Sequence, residues 1–422
     1  MDKADPMRCA ADDFFRFLCK AARMNVVASG KWLTSERVRA VALISGVAGI
    51  AMLAFLFFGG NGTVDPFGQP IGSDFTAFWN AGHLANSGRA ASAYDPAILN
   101  ADLRATHGVD YSMAWVYPPT FLLIASPLAH LPYLPALLLW QALSLAAVAT
   151  VLRAILKDRR AWLVALASPL TPTVLAGGQN AFLSAALLGS GLLLLERRPW
   201  RAGGIFGALT YKPQLGLIVA PLLVIERNWR AIAGAVIATA LLVALSIGLW
   251  GVETWTAFPA GLANGRAWME QGTSTFYKSA SLFSLARLWG ASIPLAYAVQ
   301  GLGLLLGLFL VWRAVTGSTA IRGAGVCAAV ALSTPYLMDY DMATVGVGAA
   351  FLYAEARRSG FRPYEQSAIA FIWMAPWFTR ATGEFLLLPL GPPATLLLAG
   401  FVLARTGLRA SPSRHSHEAS AR

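Results

Sequence analysis

The stretch AVALISGVAGIAMLAFLFF (40–58) runs for 19 residues without a charge, long enough as a helix to cross a hydrocarbon core of about 30 Å. The rest of the chain repeats the pattern. Of its 422 residues 56% are hydrophobic and 13% charged, and the mean hydropathy is +0.56, whereas charged residues make up about a quarter of a soluble globular domain. The chain therefore reads as an all-α polytopic membrane protein. The 39 residues before the stretch form a basic leader and no A-x-A cleavage signal follows, so a retained span is expected in place of a cleaved signal peptide.

Lys and Arg concentrate in cytoplasmic loops, and here they cluster: the leader, Arg153 to Arg160, Arg197 to Arg201, Arg227 and Arg230, Arg313 and Arg322, Arg357 to Arg362, and the tail from Arg405. These regions hold 26 of the 33 basic residues, and everything else holds 7 basic and 14 acidic, so the net charge of +12 belongs to one face. Membrane lipid is the partner this balance implies, and nucleic acid is not. Placing the clusters inside gives both termini cytoplasmic and ten full crossings, at 40–58, 133–153, 161–176, 180–195, 231–250, 294–312, 323–338, 342–354, 366–382 and 385–404. The resulting plan is a cytoplasmic leader (1–39), a membrane domain (40–404) with outer loops 59–117 and 251–293, and a disordered cytoplasmic tail (405–422). Two apolar stretches fit this plan badly. Residues 118–131, broken by Pro127 and Pro132, suggest an interfacial or re-entrant helix, and 202–225, interrupted by Tyr211-Lys212-Pro213, suggest a dipping hairpin or a single crossing. The three cysteines, Cys9, Cys19 and Cys327, have no metal spacing and read as small apolar residues.

The unusual polar motifs gather on the non-cytoplasmic side of this plan. Asp74, after Gly72-Ser73, stands among apolar and aromatic residues that tune a carboxylate for general-base work; as a structural residue it would cap the helix that follows. Tyr94-Asp95-Pro96 reads as a turn. Lys212, in an apolar segment, needs an anion, which is a neighbouring carboxylate or the phosphate of a lipid-linked substrate. Asp339 and Asp341 flank Tyr340 and would not share a helix face. With Asp74 they make a weak case for Mg or Mn, so no cofactor or metal is expected. Gln179 and Asn180, after Gly177-Gly178, suit hydrogen bonds to sugar hydroxyls. Arg266 and Lys278, in the long outer loop with Tyr277 and several other aromatics, suit a phosphate or an acceptor, or else an interfacial belt. Arg380 and Glu384, four apart, are spaced to pair with each other.

Taken in order, Gly-Ser-Asp-Phe-x-x-Phe-Trp-x-Ala-Gly (72–82), Tyr-Asp-Pro (94–96), Tyr-Pro-Pro (117–119), Gly-Gln-Asn (178–180), Lys-Pro-Gln (212–214), Lys-Ser-Ala-Ser-Leu-Phe (278–283) and Thr-Pro-Tyr-Leu-Met-Asp-Tyr-Asp (334–341) resemble glycosyltransferase family 87. The resemblance covers about residues 70–345. It implies a GT-C-type helical bundle and an inverting transfer from a polyprenyl-phosphate sugar, mannose first, to a glycolipid or glycan acceptor on the outer face of the cytoplasmic membrane. Asp74 matches the family's catalytic base. The donor phosphate would fall to Lys212, with Lys278, Arg266 and Arg380 as further cations, and the substrates to Tyr117, Gln179, Asn180, Gln214, Tyr277, Asp339, Tyr340 and Asp341. Where some members carry a His, this chain has Asp339-Tyr340-Asp341. A transporter or flippase of a lipid-linked glycan is the alternative, since it too needs membrane-depth charges.

Overall fold

The computed structural model describes residues 25–272 and 276–407. The first 24 residues, with Cys9 and Cys19, and the tail from residue 408 lie outside the described residues. Within them the chain is helical, with isolated bridges and no strand. The principal helices are α1 (Ser35–Phe58), α2 (Phe75–Asn86), α3 (Pro96–His107), α4 (Tyr133–Leu156), α5 (Leu170–Gly177), α6 (Ala181–Leu194), α7 (Trp229–Trp250), α8 (Glu253–Gln271), α9 (Ile293–Ala314), α10 (Thr319–Ser333), α11 (Met342–Ser359), α12 (Glu365–Leu386) and α13 (Gly391–Thr406).

Four of them, α1, α4, α7 and α9, are long and apolar enough to cross a membrane. The other expected spans are shorter, less apolar or interrupted. Residues 161–176 do not form one helix: Pro169 separates Ala161–Leu166 from α5. The two awkward stretches are also broken. Residues 118–131 make a 3-10 turn (Pro119–Phe121) and a short helix (Leu122–Leu128) before Pro132 leads into α4. Residues 199–225 make four short pieces, and the helix stops at Lys212 (φ −130°, ψ 71°) because Pro213 disfavours helical backbone in the residue before it.

Local chemistry sets several helix starts. Thr34, Asn228 and Ser318 each accept a backbone N–H of the first turn, from Arg37, Ala231 and Ile321. Asp95 does the same for α3 by accepting from Ala97 at 2.8 Å, with Pro96 at the first helical position. Tyr94-Asp95-Pro96 is thus a helix start where a turn was expected. Close packing falls to small residues: a Cβ on Gly203 would meet the Ala231 carbonyl oxygen at 2.1 Å and one on Gly207 the Ala235 oxygen at 2.7 Å, so the Pro199–Gly207 helix seats on α7 through a Gly-x-x-x-Gly face.

Two cores result. One surrounds α10, buried from Ile321 to Leu332, with α6, α11 and α13 packed on it. The other is aromatic, with Phe78 edge-on to Trp115, Tyr117, Phe121 and Trp140. The candidate site forms where they meet.

Candidate active site

Asp74 occupies the residue before α2, but its side chain makes no capping bond. Its backbone N–H instead donates to the Gly177 carbonyl at 3.0 Å, tying the loop before α2 to the loop after α5. Both loops contain a left-handed residue, Gly72 (φ +72°) and Gly178 (φ +65°), a conformation that glycine adopts without a Cβ clash. One face of α4 holds the pair. The Tyr133 hydroxyl donates to the Ile71 carbonyl at 2.7 Å, Trp140 Nε1 to the Gly178 carbonyl at 2.9 Å, and Gln141 to the Leu175 carbonyl. Leu137 fills the space between, 2.8 Å from where a Cβ would stand on either Gly72 or Gly178. Positions 133, 137, 140 and 141 recur on a single helical stripe. Sequence reading passed over them because an aromatic near the end of a span resembles a lipid-interface anchor; the extra Gln at the same spacing was the available signal.

The Asp74 carboxyl is half-buried. Burial among protein atoms raises its pKa to about 6; the Gln179 amide and the Arg380 charge pull the other way, and Asp339 adds to the rise. A carboxylate with that proton affinity is mostly ionised at neutral pH and still basic enough to take a proton. Ser73 Oγ stands 3.4 Å from its Oδ2. Tyr111, half-buried near Ser73, has its pKa raised by burial and then by the Asp74 charge.

Gln179 and Asn180 are buried, and neither end of either amide closes a hydrogen bond. Gln179 lies beside Asp74 and Asn180 beside the Tyr117 hydroxyl, close enough to influence both without reaching hydrogen-bond geometry. Burial, followed by the Asp74 and Asp341 charges, pushes the Tyr117 hydroxyl well above its ordinary pKa. Tyr117 is itself fixed through its carbonyl, which accepts from the Tyr94 hydroxyl at 2.7 Å.

Asp339, Tyr340 and Asp341 form one 3-10 turn ahead of α11. The two carboxylates diverge. Asp341 accepts from Lys212 Nζ at 2.7 Å, both side chains being enclosed (4% and 6% exposed), and that ammonium sits 5.6 Å from the Tyr340 ring centre. Asp339, 3% exposed, pairs with Arg380, which is 48% exposed. The expected Arg380–Glu384 pair is not formed among the described residues; Asp339 takes its place. Between the two ways of satisfying Lys212, the structure records the neighbouring carboxylate.

The remaining cations separate clearly. Arg266 is 64% exposed and paired with Glu270 at 2.7 Å, apart from the Asp74 cluster. Lys278 is half-buried and has no carboxylate partner among the described residues; its Nζ lies 5.8 Å from the Tyr277 ring. Ser279, the next residue, bridges Met338 and donates to the Leu337 carbonyl at 2.7 Å, so Lys278 adjoins the approach to Asp339. Tyr277 presses its backbone on Gly383 of α12, within a turn of Arg380. Gln214 lies half-buried on the short helix after Lys212. Among the described residues no three His, Cys, Asp or Glu side chains group as a metal site.

The sequence profile of glycosyltransferase family 87 matches residues 115–338, over half of the chain. The chain belongs to glycosyltransferase family 87. No curated protein and no solved structure matches it. The matched stretch contains Tyr117, Gln179, Asn180, Lys212, Gln214, Arg266, Tyr277 and Lys278, and it ends one residue before Asp339. Asp74 and Arg380 lie outside it and are brought by the fold to Tyr117, Gln179 and Asn180. Membership makes this family 87 protein a membrane glycosyltransferase, acting on a sugar donor and an acceptor, and gives the transport alternative no support.

Proposed function

We propose that this family 87 protein transfers a sugar, mannose first, from a polyprenyl-phosphate donor to an acceptor hydroxyl on a glycolipid or glycan at the outer face of the cytoplasmic membrane, with inversion. The observation that carries the reading is the uncapped carboxyl of Asp74, raised to a pKa of about 6, held beside two buried amides with unspent hydrogen-bonding capacity.

Asp74 accepts the proton of the acceptor hydroxyl as that oxygen bonds to the anomeric carbon. The bond from that carbon to the phosphate oxygen breaks, and polyprenyl phosphate leaves with the electron pair. Gln179, Asn180 and Tyr117 bind the hydroxyls of the reacting sugars, and Tyr340, half-buried between the two ion pairs, lines the same space. The leaving phosphate gains negative charge, so a cation placed there stabilises the transition state above the ground state. Charge accounting selects the cation. Asp74, Asp339 and Asp341 outnumber Lys212 and Arg380, and each of those cations already answers a carboxylate. An anionic donor therefore calls for Lys278, with the exposed side of Arg380 beside it; Lys212 fixes the Asp339–Asp341 turn.

The test is direct. Protein purified in detergent and given a polyprenyl-phosphate mannose with a glycolipid acceptor should release polyprenyl phosphate and form an inverted glycoside, and Asp74→Asn should slow both about a hundredfold or more. Release that persists undiminished in that variant removes Asp74 as base.

A further inference from the structure

Helices α10 to α13 run between the candidate active site and a second polar feature at their other ends. α10 leads towards Asp339 at its carboxyl end and begins at Ser318; α11 begins beside Asp341 and ends at Ser359; α12 begins at Glu365 and carries Arg380 in its far half. Where Ser318, Ser359 and Glu365 come together, a polar recess of about 320 Å³ opens, lined by Arg358, Arg362, Arg405, Glu355 and the Ser318 and Ser359 side chains. It takes no part in the transfer chemistry proposed above.

The donors in this recess are unequally used. Arg405, 7% exposed, is fully engaged with Glu365, Ser359 and the Gly360 carbonyl and forms a fixed wall. Glu355 is answered by Ser318 and Arg358, each at 2.7 Å. Arg358 spends one nitrogen on that contact and Arg362 spends one on the Ala404 carbonyl; no further partner of either guanidinium is formed among the described residues. Each keeps donors in the fork arrangement that suits phosphate oxygens. The amino end of α10, a 15-residue helix opening beside Ser318, adds positive potential. Exposed Phe361 lines the recess, with exposed Tyr364 three residues on, aromatics of the kind found at headgroup depth.

We propose that this recess binds a phosphate group, gripped by Arg358 and Arg362 at the amino end of α10. Two sources share that chemistry, an anionic lipid headgroup and free phosphate; basic pockets between helices at a membrane surface are lipid-headgroup sites.

The experiment follows thermal unfolding of the full chain in phosphatidylcholine–detergent micelles while phosphatidylglycerol is added in one arm and inorganic phosphate in another. A saturable rise in midpoint with either probe, whose half-saturation weakens about tenfold or more in R358Q/R362Q, supports the site, since each basic group near a lipid surface contributes on the order of tenfold or somewhat less; the arm that responds names the source. Arg197 and Arg201, exposed and outside the lining of the recess, supply the control. No saturable response in either arm, a response untouched in R358Q/R362Q, or one lost equally in R197Q/R201Q overturns the proposal. The double variant's unfolding in phosphatidylcholine alone reports whether it folds; if it does not, R362Q alone is read in its place.

Discussion

The amide of Asp74 and the carbonyl of Gly177 are joined by a 3.0 Å hydrogen bond, so the candidate base and the loop that presents Gln179 share one backbone contact. The α4 side chains then fix that contact from behind. Trp140→Phe keeps an aromatic ring, though a smaller one, and removes the N–H that holds the Gly178 carbonyl. Turnover should fall about tenfold to a hundredfold, as displacement of a reacting group by about 1 Å costs, with donor KM nearly unchanged. Steady-state kinetics over both substrates reads the split; a rise in KM alone would make Trp140 a packing residue.

Asp74→Asn should lower kcat by about 10² to 10⁴, the usual contribution of a general base. In the native enzyme, kcat/KM should decline on the acid side of pH about 6 as Asp74 takes up its proton. A pH–rate profile with no acid limb in that region contradicts the assignment.

The same variant has a consequence for stability. The folded pKa of Asp74, about 6, lies above its ordinary value of 3.8, so the folded state holds this proton more tightly than the unfolded chain does, and ionisation disfavours the fold as pH rises from 4 through 6. Asp74→Asn should therefore unfold at a higher temperature than the native protein at pH 7, with the gap closing towards pH 4. The gain is a few kcal/mol at most, reduced because the carboxyl is partly open to water. Calorimetry or circular dichroism at both pH values decides it.

Lys212→Ala leaves the enclosed Asp341 carboxylate without its partner, and breaking a buried pair from one side costs about 3–5 kcal/mol. Replacing both, as Lys212→Met with Asp341→Leu, should recover most of that loss while turnover stays low because the Asp339–Asp341 turn is no longer pinned. Unfolding midpoints of the single and double variants check this.

Lys278→Ala should raise donor KM about tenfold, the range for one charge-assisted contact, and leave the unfolding midpoint within a degree or two. Equal donor KM in variant and native protein would place the phosphate elsewhere, with Arg380→Gln the next variant to assay.

Much of the site was visible in the sequence because charged and amide side chains stand out in an apolar chain, where each needs a reason to be there. Asp74, Gln179, Asn180, Tyr117 and the Asp339–Asp341 turn are indeed brought together. What the sequence withheld was partnership. Lys212 meets Asp341 across 129 positions and Arg380 meets Asp339 across 41, choices made by tertiary packing. The local i, i+4 rule instead pointed Arg380 to Glu384. Hydropathy likewise located apolar segments, and the interruption at Tyr211-Lys212-Pro213 was legible from its Lys and Pro, but the break at Pro169 was overlooked, since a window average does not register where the backbone turns.

α4 is 24 residues long, about 36 Å at 1.5 Å per residue, and a bilayer core is about 30 Å thick. A helix with that excess leans to fit, and leans further in a thinner membrane. Because the Gly72 and Gly178 loops are both fastened to its one face, such leaning carries them as a single body, and the spacing between the Asp74 carboxyl and the amides is insulated from changes in bilayer thickness.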